Sequence, residues 1–253
     1  MVTSRATFGK TTIIVYSLLA AALAIVAWFI RDDRHELARF KALTDTAARQ
    51  RRYRIWLAKA FAIFLCSSLG GLALIGRLDG LSRLPDEFAP LAAMVPHTDH
   101  NQSTMLTGMA VGAMVAGSAL ALVLTKRKRG AKLVTLGDVE AILPRNRAEL
   151  VYGALLSLNA GVTEELFFRL FLPLLIVLAT GNALFAFVAA TLIFGIIHLY
   201  QGIIGVVATT VLGVVIAGVY LATGSIWIAV AAHVLIDLNG LVLRPVVSGA
   251  WRA

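Results

Sequence analysis

One cysteine, Cys66, stands in the 253 residues. No internal disulfide can form and no cysteine-rich metal site can be built. The thiol reads as a small apolar group buried in a membrane span. Charge is scarce as well: Asp, Glu, Lys and Arg make up 15% of the chain, against about 25% in soluble domains. Hydrophobic residues reach 59%, and the mean hydropathy is +0.83. These values exclude an ordinary soluble domain and describe a polytopic membrane protein. Acidic residues are the rarer sign, 14 against 23 basic, for a net charge of +9. The basic residues cluster in loops beside apolar runs, where orientation and contact with membrane lipid headgroups account for them. No nucleic-acid partner is expected. The chain also lacks an internal repeat and a linker to a second domain.

The apolar runs divide it in two. Residues 1–148 read as three supporting transmembrane helices with basic cytoplasmic loops. Their spans fall at about 12–30, 57–77 and 105–125, each long enough to cross a bilayer. Trp28, Phe29 and Ile30 end the first run in bulk, unlike a signal-peptide cleavage site. Leu37, Phe40 and Leu43 recur at helical spacing in the basic loop 31–54. They suggest either an amphipathic helix on the membrane or an extension of the flanking helices. Lys59 and Arg77 are placed to snorkel from the second span. Pro85, Pro90 and Pro96 mark the next loop, which also holds His97, Asp99 and His100. The positive-inside rule sets the basic loops 31–54 and 126–148 in the cytoplasm. Four apolar segments follow at about 150–180, 183–201, 203–222 and 225–243. Their two-residue connections force antiparallel neighbours, and Pro173 is expected to kink or end the first of them. The fold class is all-α: a transmembrane bundle of about seven spans with a four-helix carboxyl-terminal core at 149–253.

Six ionisable side chains lie deep within predicted spans, and all are in that core: Glu164, Glu165, Arg169, His198, His233 and Asp237. A charge at the bilayer centre costs about 2.5–3.5 kcal/mol on insertion scales, so such residues usually pair and serve a function. Glu165 and Arg169 are i and i+4, as are His233 and Asp237, and each pair shares a helix face. Glu164 is turned about 100° from Glu165, leaving it to a different neighbour. Two histidines and a carboxylate form a common ligand set for catalytic zinc. The same groups without metal suit a general base and an oxyanion stabiliser. An intramembrane hydrolase and a proton-coupled transporter both use such material. The absence of a second half with matching polar interruptions argues against transport.

Glu164-Glu165-x-x-x-Arg169, then Phe194-x-x-x-His198, then His233-x-x-x-Asp237, on successive apolar helices, resembles the CAAX prenyl endopeptidase and bacteriocin-processing family of intramembrane metalloproteases. The resemblance covers about residues 149–243. It implies that water activated by Glu164 and His198 cleaves near the carboxyl terminus of a substrate or within a hydrophobic peptide. His233 and the residue at 237 would stabilise the oxyanion, with Glu165 and Arg169 bracing the site. It also implies zinc or another divalent metal, held by Glu164, His198 and His233. The partners would be membrane lipid and a hydrophobic peptide or membrane-protein substrate. A non-catalytic scaffold or peptide-immunity protein is the alternative.

Asp237 departs from the asparagine typical of the prenyl-protein enzymes. An ionised aspartate would repel an oxyanion, so it must be protonated, bind metal or orient His233. Compact length, short loops and alanine-rich helices suit a bacterial inner membrane and an unprenylated substrate. Depth poses a further condition. Glu164 lies about 14 residues, or 21 Å, into its helix, whereas His198 ends the next one. They meet only if the first core helix begins well inside the cytoplasm or is strongly tilted.

Overall fold

The computed structural model describes residues 2–95 and 139–249, with Met105, Gly108 and Gly112 between them. Apart from those three residues, the expected span 105–125 lies outside the described residues, as do the basic run after it and the cluster His97, Asp99 and His100. Those described are helical, with no strand among them. Helix α1 (Val2–Lys41) is followed by α2 (Thr46–Ala60), a π-helical turn at Phe61–Leu65, and α3 (Cys66–Leu74). A short helix α4 (Ala89–Ala92) closes the amino-terminal part. The core comprises α5 (Arg147–Glu165), a π-helical segment Leu166–Phe171, α6 (Leu172–Thr180), α7 (Ala183–Ile197), α8 (Gly202–Thr223), α9 (Ile226–Leu238), a π-helical turn Asn239–Leu243 and α10 (Arg244–Ser248).

Four runs among the described residues are long and apolar enough to cross a membrane: Thr12–Lys41, Thr46–Leu74, Ala183–Thr223 and Ile226–Val247. The protein is a membrane protein, with these four candidate spans among its described residues where seven were expected over the whole chain. The run Ala183–Thr223 folds back on itself. Gly195 faces Thr210, and a Cβ at Gly213 would lie 3.1 Å from Thr191, so α7 and α8 form a hairpin about Gly202. At Gly202 φ is +81°, a conformation that glycine adopts without a Cβ clash. The stretch Arg147–Thr180 falls outside the four because Glu164, Glu165 and Arg169 interrupt its apolar character.

Helix α5 starts at a cap dictated by sequence. Asn146 accepts a hydrogen bond from the Glu149 amide at 3.0 Å, relieving one of the unpaired donors of a first turn. Glu149 in that turn is buried, 1% exposed, and pairs with the fully buried Arg49 of α2 at 3.1 Å. Arg49 also donates to the carbonyls of Ala141 and Leu143 and to the Tyr53 hydroxyl. Tyr53 donates to the Ile142 carbonyl at 2.9 Å. The amino-terminal helices are thereby clamped to the entrance of the core.

Pro173 does not end its helix. It falls early in α6, directly after the π-helical segment. It has no N–H for the carbonyl four residues back, that of Arg169, so regular pairing is interrupted there in any case. The loop 31–54 is resolved as extensions of its flanking helices. Leu37 and Phe40 are buried, and Asp45 caps α2 by accepting from the Ala48 amide at 2.8 Å.

One expectation about a single residue is overturned. Cys66 is exposed rather than buried, because an apolar residue in a membrane helix faces lipid as readily as protein. Lys59 is held by Asp32 at 2.7 Å and Asp33 at 3.0 Å and lies over the rings of Trp28 and Phe29. Arg77 is likewise paired, with Glu87.

Candidate active site

The depth condition is met by the length of the first core helix. Its helical run Arg147–Thr180 extends about 51 Å at 1.5 Å per residue, well beyond the ~30 Å hydrocarbon core of a bilayer. The helix turns at Gly181, where φ is +72°. Glu164 and His198 stand equally far, 17 residues, on either side of that turn. On an antiparallel helix pair they are therefore level.

Helix α9 brings the third motif alongside, packed on α5. A glycine permits the approach. A Cβ at Gly161 would run into the Val234 side chain and come within 3.2 Å of the Val230 carbonyl. Gly161→Ala is therefore expected to cost about 1–3 kcal/mol by overpacking and to slow any reaction that needs His233 beside Glu165. Thermal unfolding of the purified variant tests this, and an unchanged midpoint would refute the close-packing role.

The acidic and basic side chains meet at His233, which is 3% exposed. Its Nδ1 lies 2.6 Å from Glu165 Oε1. Its Nε2 faces Glu164 at 4.0 Å and Asp237 at 3.7 Å, beyond hydrogen-bonding distance. Orientation of the His233 ring thus falls to Glu165. Glu165 is fully buried and lies 3.2 Å from Arg169 Nε. That contact is a close charge pair without hydrogen-bond geometry, and the three guanidinium nitrogens have no hydrogen-bond partner among the described residues. The guanidinium instead lies 4.0 Å from the centre of the Phe194 ring, where a cation–π attraction operates.

His198 ends α7 and turns Nδ1 to the Phe194 carbonyl at 2.8 Å. The Phe194 ring packs against both histidines, with ring centres at 4.8 Å and 6.2 Å. In a neutral His198 ring, Nδ1–H donates to the Phe194 carbonyl and Nε2 keeps a lone pair. Glu164 and Asp237 remain partly accessible, with side chains 16% and 28% exposed. Glu165 and Arg169 are sealed. The π-helical segment begins immediately after Glu165, and a second follows Asp237 by one residue. Such turns concentrate at functional sites.

Two residues that the charge pattern does not single out belong to the same region. Tyr200 and Gln201 form the turn after His198, and Gln201 Nε2 donates to the Tyr200 hydroxyl at 2.9 Å. The ring centres of His198 and Tyr200 are 5.9 Å apart. Proximity to His198 in sequence was the one available signal.

A bound metal needs three or more donors about one point. Among the described residues no three His, Cys, Asp or Glu side chains are grouped in that way. Glu164, His198 and His233 are not drawn together as such a set.

These features define a class: a membrane protein, all-helical in its described residues, with a buried glutamate–histidine–arginine cluster assembled from α5, the π-helical segment after it, the end of α7 and α9. Residues 146–239 match the model of the type II CAAX prenyl endopeptidase Rce1-like family, and this part of the chain is Rce1-like. The matched segment includes all six clustered residues. No curated protein and no solved structure matches the chain. That match supports a CAAX-type intramembrane protease role in general.

Proposed function

We propose that the protein is an intramembrane endopeptidase that hydrolyses a peptide bond near the carboxyl terminus of, or within, a hydrophobic membrane-associated peptide. The observation that carries this reading is the convergence of Glu164, Glu165 and Asp237 on His233 within the Rce1-like segment. Water between Glu164 and the free Nε2 of His198 gives up a proton to Glu164 and attacks the carbonyl carbon. The carbonyl π electrons move to oxygen. His233, held by Glu165, stabilises that charge as an imidazolium donor. When the C–N bond breaks, the proton on Glu164 passes to the departing amine. Arg169, paired with Glu165 at 3.2 Å, holds that side chain in place beside His233.

The substrate we favour carries no prenyl group, since Asp237 replaces the asparagine of the prenyl-protein enzymes. The test is a quantitative map of new protein termini in native membranes, comparing wild type with Glu164→Gln at equal expression. Termini that disappear in the variant establish proteolysis and name the substrates. Identical maps would favour a non-catalytic scaffold or peptide-immunity protein.

A further inference from the structure

The accessible groups of the cluster are mostly hydrogen-bond acceptors. Glu164 and Asp237 accept when ionised, and His198, with Nδ1 engaged by the Phe194 carbonyl, presents a lone pair at Nε2, which leaves Nε2–H of the His233 imidazolium to face an oxyanion alone. An oxyanion requires donors aimed at it before the reaction begins. Asp237, standing where a donor is expected, supplies none while ionised.

Tyr200 has the missing group. It is half-buried on the turn directly after His198, with the two rings tilted against each other at 5.9 Å. The Gln201 amide occupies an acceptor lobe of the phenol oxygen at 2.9 Å, so the phenol O–H is left to donate elsewhere. The phenol thus stands beside the histidine whose Nε2 is left free for water.

We propose that Tyr200 is a catalytic residue that donates its O–H to the carbonyl oxygen of the scissile bond and to the oxyanion formed there. It takes over the donor function that Asp237 cannot provide. No proton is transferred and no bond to the phenol forms; Gln201 is a positioning residue that fixes the oxygen. This inference rests on the proteolytic reading above.

The test uses the full chain in membranes, with cleavage followed at the termini that Glu164→Gln abolishes. Tyr200→Phe removes one oxygen and is expected to slow their appearance about 10²-fold, the usual loss for one oxyanion donor, with unchanged thermal unfolding. Gln201→Met keeps the phenol but frees its oxygen and is expected to slow cleavage by a smaller factor. A wild-type rate in Tyr200→Phe, with the Glu164→Gln termini still lost, would overturn the role of Tyr200 and leave proteolysis standing. If Tyr200→Phe fails to fold, a wild-type rate in Gln201→Met overturns the proposal instead. If Glu164→Gln abolishes no termini, the proteolytic reading fails and this inference with it.

Discussion

Glu164→Gln is expected to lower the rate of cleavage about 10³-fold, within the range that a positioned general base contributes, without lowering the thermal midpoint. The two halves of this expectation have different causes. The rate falls because an amide cannot take the proton of the attacking water. Stability holds because Glu164 anchors no structure. Its closest recorded charged partner, His233 Nε2, is 4.0 Å away, whereas His233 is oriented through its other nitrogen by Glu165. Initial rates on substrates found by terminus mapping, set beside a melting curve, decide the matter. Loss of stability in step with the rate would make Glu164 a structural residue.

Arg169→Ala is expected to destabilise the protein by about 3–5 kcal/mol, the cost of leaving a buried charge without its partner. Glu165 is fully buried and Arg169 is 1% exposed. Removing the guanidinium also empties the space over Phe194, the ring that packs on both histidines. Activity should fall with yield, since Glu165 would no longer be held in place for His233. The double variant Arg169→Ala/Glu165→Gln separates the causes. With the charge gone from both sides, most of the lost stability should return. Cleavage should not, because the glutamine amide cannot replace the carboxylate beside His233. Melting temperatures and folded yield in detergent measure the first effect, and the cleavage rate measures the second. Wild-type yield of the single variant would remove the bracing role from this pair.

The sequence alone determined the helical class, the membrane character and the six residues of the cluster. All of these follow from composition and spacing. An apolar chain with 15% charge has few places for ionisable groups. Those that persist within apolar runs identify themselves by their cost. Pairing of Glu165 with Arg169 was legible too, because i and i+4 meet on any helix. Tight turns at Gly181, Gly202 and Gly224 were visible as short connections between apolar runs.

Only the tertiary structure decided which partner each group found across helices. Periodicity fixes a direction around one helix axis but not the height of one helix against another. The level of Glu164 with His198 therefore depended on the turn at Gly181 and on an α5 that starts far from it. The contact of His233 with Glu165 required α9 to close on Gly161, which pairing within a single helix could not reveal. Lys59 found Asp32 and Asp33 on a neighbouring helix, and Arg49 was buried against Glu149, 100 residues away. Exposure of Cys66 was equally beyond the sequence. In a lipid-facing bundle hydrophobicity no longer separates inside from outside, so burial is settled by packing alone.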